Sequence, residues 1–222
     1  MKRRRLPTVR VAWNDPVFAK AKMPPKEDCE SGLGIYLAFY SGSLCLLYKE
    51  GKKYFNGAMA NITFKRNDYI SWDEYFMGIA SLSSLRSKDP NTQVGACIVS
   101  QDNKILSMGY NGLPKGCSDD EFPWAREGET LDTKYPFVVH SELNAILNYR
   151  GGSLEGSKMY VTLFPCNECA KAIIQAGIKD VVFAENKYDG SPSVEASKKL
   201  FNAAGVRYYQ YQGSGRTLEI KV

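Results

Sequence analysis

From about residue 68 to residue 211 the chain alternates amphipathic helical stretches with short β-rich runs, and few architectures satisfy that alternation. Ser71-Trp72-Asp73-Glu74 has the form of a capping box. Tyr75, Phe76, Ile79, Ala80, Leu82 and Leu85 follow at mainly helical spacing, which predicts a helix over 72–87. Asp89-Pro90-Asn91 reads as a turn, 94–99 as a strand, 101–104 as a hairpin turn and 105–110 as a second strand. A Gly- and Pro-containing loop spans 111–117, and 118–135 reads as irregular. Further helices are expected over 141–148, from Pro165 to the C′ glycine Gly177, and over 194–203. Strands are expected over 158–164, 180–184 and 206–211. The implied class is α/β, with helices layered on a sheet.

Residues 1–67 have a different texture. Pro7, Pro16, Pro24 and Pro25 interrupt the first 25 positions, which read as loop or extended arm. Two apolar, aromatic runs, 33–40 and 44–48, then flank Ser41-Gly42-Ser43 and suggest a β-hairpin, with helix the alternative for runs this short. The aromatic residues Tyr36, Phe39, Tyr40, Tyr48, Tyr54 and Phe55 fit an alternating strand face, with an interface or a base-stacking surface as the alternatives. The organisation expected is an N-terminal extension over 1–67 of unknown role, a main domain over 68–212 and a tail over 213–222.

Charge narrows the function classes. The formal net charge is +5, and Lys2, Arg3, Arg4, Arg5 and Arg10, with no acid among the first ten residues, account for all of it. Residues 11–222 carry 24 basic and 24 acidic groups, so the body lacks the basic footprint of a nucleic-acid binder. The basic tip reads as a solvated end, a nuclear-import signal or a phosphate-seeking arm. No apolar run reaches the ~18 residues that a membrane helix needs, and no apolar stretch of a secretory signal follows the basic start. A cytoplasmic location is expected, extended to the nucleus if the tip is an import signal. A reducing compartment makes metal or redox chemistry the first reading of the pair Cys166 and Cys169 among the six cysteines.

The chain has one histidine, His140, with Glu142 two residues on and Pro165-Cys166-Asn167-Glu168-Cys169 further along. One imidazole and two thiolates suit zinc, and three protein ligands leave a fourth tetrahedral position for water, the arrangement of a catalytic site. Cys166 and Cys169 are three apart at the start of a helix, where the N-terminus favours thiolate. Alone, a histidine is more often structural and a Cys-x-x-Cys pair could be redox-active. The joint order His-x-Glu then Pro-Cys-x-x-Cys is that of the zinc deaminases.

Residues 68–211 resemble the deoxycytidylate (dCMP) deaminases of the eukaryotic type, within the cytidine/deoxycytidylate deaminase superfamily. The matching pieces are 69–77, 86–97, 109–112, 116–120, 131–136, 140–146, 164–169 and 174–179. The His-x-Glu and Cys-x-x-Cys pieces belong to the whole superfamily, whereas Ser87-Lys88-Asp89-Pro90-Asn91 and Gly109-Tyr110-Asn111-Gly112 narrow it to the nucleotide-level branch. The resemblance implies a cytidine deaminase-like three-layer α/β/α fold with a central mixed sheet of about five strands. It implies Zn2+ on His140, Cys166 and Cys169, with Glu142 carrying protons while dCMP becomes dUMP and ammonia. It assigns Asn111 to the deoxyribose 3′-hydroxyl, although a turn-forming asparagine is the plainer reading. Arg86, Ser87 and Lys88 are expected at the substrate, with Lys115 and Lys134 as further phosphate candidates. It also implies dCTP activation and dTTP inhibition, with Tyr110, Gly112 and Lys115 at the effector site, and a homohexamer. Ser141 departs from the alanine usual between the histidine and the glutamate. The rivals are a cytosine deaminase acting on nucleosides or polynucleotides, and a non-catalytic nucleotide-binding relative.

Overall fold

A computed structural model describes residues 36–40, 43–49, 52–55, 58–60 and 65–219. The basic tip lies outside the described residues, as do the side chains of the N-terminal aromatics. The chain divides into two units, 1–69 and 70–222.

In the first unit, four strands form one antiparallel sheet in chain order: β1 (Tyr36–Tyr40), β2 (Ser43–Lys49), β3 (Lys52–Phe55) and β4 (Ala58–Ala60). Tyr40 pairs with Ser43, so Ser43, expected in the turn, belongs to β2; the rest of the expected turn lies outside the described residues. β3 and β4 extend the hairpin into a meander; their four and three residues are too short to show a period.

The second unit carries the alternating pattern: α1 (Trp72–Ser84), β5 (Gly95–Val99), β6 (Ile105–Tyr110), α2 (Ser141–Asn148), β7 (Lys158–Leu163), α3 (Asn167–Gln175), β8 (Asp180–Glu185), α4 (Pro192–Ala204) and β9 (Arg207–Gln210). The five strands form one sheet in the order β6-β5-β7-β8-β9. β5 is antiparallel to both β6 and β7, and β7, β8 and β9 run parallel, joined through α3 and α4. The mixed five-stranded sheet is the one expected.

Both faces of this sheet are covered, so its central strands lack the polar-out alternation of a half-exposed strand. Cys97 and Val99 of β5, Tyr160 of β7 and Val182 of β8 pack with Phe76, Met77 and Ala80 of α1. Their neighbours Ala96, Ile98, Met159, Val161, Val181 and Phe183 face the other way, against Ala145 of α2, Ile173 of α3 and Phe201 of α4. The result is three layers, one helix on one face and three on the other. α1 begins at a complete capping box, Ser71 Oγ accepting from the Glu74 N–H and the Glu74 carboxylate from the Ser71 N–H.

Gly109 sets the seat of α2. A Cβ there would fall inside the backbone of Ser141 and Ala145, so only glycine lets the helix lie directly on β6. Ser107 Oγ reinforces the seat by donating to the Ala145 carbonyl at 2.7 Å. Among the described residues no helix is long and apolar enough to cross a membrane.

Candidate metal centre and its cavity

Because β5 is antiparallel to its neighbours, one edge of the sheet gathers the end of β6, the start of β5 and the end of β7. α2 and α3 both open at that edge. His140 is the N-cap of α2 and Cys166 the N-cap of α3, each with extended backbone, and Cys169 follows in the first turn of α3. Neither helix has a side-chain cap, so the positions that would ordinarily carry a capping side chain carry ligand-type atoms instead.

His140 Nδ1 lies 3.4 Å from Cys166 Sγ and 3.5 Å from Cys169 Sγ, and the three atoms all fall within 4.8 Å of one another. Zn–S bonds of about 2.3 Å and Zn–N bonds of about 2.05 Å at a tetrahedral angle require an S···N edge of about 3.6 Å. The donor set therefore fits a zinc ion. Its electrostatics point the same way. Without a cation the two sulfurs share one negative charge: the hydrogen bond from Cys169 lowers Cys166 to about 4, and the same bond, with burial, pushes Cys169 up. The hydrogen bond with Cys166 raises His140 to about 9. A divalent cation relieves both demands, letting both sulfurs be anionic and the imidazole neutral.

Glu142 sits in the first turn of α2, 4% exposed, and burial pushes its carboxyl up. Ser141, fully buried, donates its hydroxyl to Glu142 Oε2 at 2.9 Å. His140, Glu142 and Cys166 line one cavity of about 390 Å³, within the range of small-ligand sites.

Asn111, immediately after β6, lines the same cavity and is buried. Its Oδ1 accepts the Val94 N–H at 2.8 Å, and its amide donates to the Thr92 carbonyl at 3.0 Å and to Asp89 Oδ2 at 3.3 Å. Both amide hydrogens are thus used, and one lone pair on Oδ1 is left to accept a hydroxyl. Asp89 anchors the group. It is 2% exposed, pairs with the buried Lys134 ammonium, and accepts the N–H groups of Asn91 and Thr92 at 2.8 and 3.2 Å. Burial alone would raise the Asp89 carboxyl; the Lys134 and backbone hydrogen bonds outweigh it and hold the group below the usual carboxylate range.

Other expected substrate contacts lie elsewhere. Arg86, Ser87, Lys88 and Lys115 do not line the cavity. Ser87 is behind Asn111, its hydroxyl donating to the Asn111 carbonyl at 2.9 Å, and the exposed Lys88 pairs with Asp119. Lys134 does line the cavity, but Asp89 neutralises it. Tyr110 and Gly112 flank Asn111, and Gly112 exchanges two backbone hydrogen bonds with Val139, the residue before His140. Sequence reasoning overlooked Asp89, Arg126, Tyr135 and Tyr188, all of which line the cavity. The Ser-Lys-Asp-Pro-Asn segment pointed at Asp89; Arg126 falls in a stretch with no period to read.

Comparison with known proteins agrees with this geometry. The family described as the cytidine and deoxycytidylate deaminase zinc-binding region matches residues 70–185. The deoxycytidylate deaminase of Homo sapiens is 60% identical over 148 residues, covering 66% of this chain and 83% of that protein. A probable deoxycytidylate deaminase of Drosophila melanogaster is 51% identical over 162 residues, covering 70% and 80%. Among solved structures, the dCMP deaminase of cyanophage S-TIM5 in complex with dCMP and dUMP is similar with a TM-score of 0.52 and 31% identity, covering 62% of this chain and 95% of that one.

Proposed function

The chain belongs to the cytidine and deoxycytidylate deaminase family, and from that premise we propose that it hydrolyses the 4-amino group of dCMP to give dUMP and ammonia, supplying thymidylate nucleotide synthesis in the cytoplasm. The observation that carries this reading is a buried carboxylate, Glu142, sharing one cavity with His140 and Cys166, two members of a His/Cys/Cys donor set of zinc dimensions. Held by His140, Cys166 and Cys169, zinc would supply a water acidic enough to lose its proton near neutral pH. Glu142 takes that proton and delivers it to N3 of the cytosine ring, then takes the second proton of the water from the hydroxyl now on C4 and passes it to the 4-amino group, which leaves as ammonia as the C4–N4 bond breaks. Asn111, its amide fixed by Asp89 and Thr92, turns the remaining Oδ1 lone pair to the deoxyribose 3′-hydroxyl, with Ser87 bracing it from behind. Arg86 and Lys88 act from outside the cavity, through the loop they adjoin. The cyanophage relative, solved with dCMP and dUMP, supports the choice of a nucleoside monophosphate.

Regulation by dCTP and dTTP belongs to the same reading, with Tyr110, Gly112 and Lys115 as effector contacts in a homohexamer. The Gly112–Val139 pairing supports it, because a ligand that moves Gly112 pulls on the residue next to His140. An ultraviolet assay comparing dCMP, deoxycytidine, cytidine and a cytosine-containing oligonucleotide, with and without dCTP or dTTP, tests the proposal. Preferential loss of the dCMP amine, faster with dCTP and slower with dTTP, is expected. Equal or better turnover of the oligonucleotide overturns it.

A further inference from the structure

A monophosphate dianion needs a cation that no carboxylate has already claimed. Two cationic side chains line the cavity, Arg126 and Lys134. Lys134 is buried against Asp89, and taking it away would leave a carboxylate unpaired in the interior. Arg126 is exposed and, among the described residues, makes no ion pair. Its Nε donates to the Tyr135 hydroxyl at 3.5 Å, which leaves the terminal fork of the guanidinium open for two parallel hydrogen bonds to an oxyanion. Tyr135 and Tyr188 line the same cavity, and each hydroxyl can donate one hydrogen bond.

Arg126 lies in a segment without helix or strand, yet its neighbours are pinned on both sides. The Trp124 carbonyl accepts from Asn91 Nδ2 at 3.4 Å, and the Ala125 carbonyl accepts the Lys134 N–H at 3.0 Å. Lys134 is tied to Asp89 through its ammonium, so the backbone carrying Arg126 hangs from the same buried carboxylate that orients Asn111. Charge also argues for separation within the cavity: a phosphate is repelled by Glu142 and drawn to the uncompensated guanidinium.

Resting on the dCMP reading above, we propose that Arg126 is the specificity-determining residue for the 5′-phosphate, gripping it through its guanidinium fork with the Tyr135 and Tyr188 hydroxyls as secondary donors. Asp89 and Lys134 are positioning residues for that grip.

Calorimetric titration of the full-length, zinc-loaded protein with dUMP and with deoxyuridine tests the assignment. The wild-type protein should bind dUMP more tightly than deoxyuridine. R126M should weaken dUMP by about 10- to 100-fold, the size of a lost charge-assisted contact, and leave the phosphate-free deoxyuridine within about twofold. R126K, a point charge without the fork, should fall between, and Y135F should weaken dUMP by about threefold. An R126M protein that keeps the wild-type dUMP affinity overturns the assignment alone. A wild-type protein that does not prefer dUMP to deoxyuridine contradicts the monophosphate reading on which it rests.

Discussion

The two ends of the cavity are built by different means. At the catalytic end, His140, Glu142, Cys166 and Cys169 ride on the first turns of two helices, α2 and α3, seated on a closely packed sheet. At the end proposed for recognition, Asn111, Arg126, Lys134 and Tyr135 come from loops, and hydrogen bonds between residues far apart in sequence hold them, many converging on Asp89. Chemistry that needs ligand atoms at fixed separations uses rigid helix starts. The recognition proposed for a sugar and a phosphate would use irregular backbone stiffened by one buried ion pair.

That contrast can be broken most strongly at the metal ligands. Cys166→Ser and Cys169→Ser should each lose stoichiometric zinc by atomic emission and reduce turnover more than about a thousandfold, because a hydroxyl does not ionise to replace a thiolate. Full zinc content in either variant would mean that the replaced sulfur is not a zinc ligand.

The recognition end should fail through folding as well as binding. Lys134→Met leaves Asp89 buried without its cation and should cost about 3–5 kcal/mol in denaturant unfolding. The pH dependence carries a sign. In the wild type the hydrogen bonds depress the Asp89 carboxyl, so its stabilisation is present above the ordinary carboxylate range and is lost as pH falls through the lowered folded value. In Lys134→Met burial acts with less opposition and raises the carboxyl. The stability gap between the two proteins should therefore be widest near neutral pH and narrow on acidification, first as pH falls through the raised carboxyl of the variant and then through the lowered one of the wild type. A gap that is constant with pH would show that Asp89 is not its source.

Gly109→Ala tests the seat of the catalytic end from beneath. A methyl group there meets the backbone of Ser141 and Ala145, so thermal unfolding should report a loss of about 1–3 kcal/mol, with reduced kcat as α2 shifts. The smallest effect is expected at Ser141. Its hydroxyl bonds a carboxylate that helix and sheet already place, so Ser141→Ala should change kcat less than about threefold and leave zinc content unaltered. A loss beyond about thirtyfold would make this hydroxyl part of the catalytic end.

How far each end could be read from sequence follows the same division. The capping box at Ser71 and Glu74 placed the start of α1, which begins at Trp72. Its end came three residues early. Ser83 and Ser84 turn their hydroxyls back to the Ile79 and Ser81 carbonyls, and Leu85, Arg86 and Ser87 continue only in tighter i→i−3 bonds. The helix expected from Pro165 starts at Asn167, with Cys166 standing as its N-cap. The ligand spacing was legible because three residues along a helix start is a local distance. Arg126 was not, because its place depends on Asn91 and Lys134, which no periodicity connects to it. Asn111 lay between the two cases: its turn-prone position was visible, whereas the commitment of both amide hydrogens to Thr92 and Asp89 required the fold. β3 and β4 were illegible for a different reason: their pairings are local, Lys49 with Lys52 and Phe55 with Ala58, but strands of four and three residues are too short to show a period.

The central claim is that Glu142 moves protons beside a metal that it does not hold. Zinc content and dCMP turnover measured on one preparation of Glu142→Ala test it most directly. The account predicts about one zinc per chain together with a loss of at least about a hundredfold in kcat, the scale of a positioned acid–base group. Near-normal turnover by that zinc-loaded protein would contradict it.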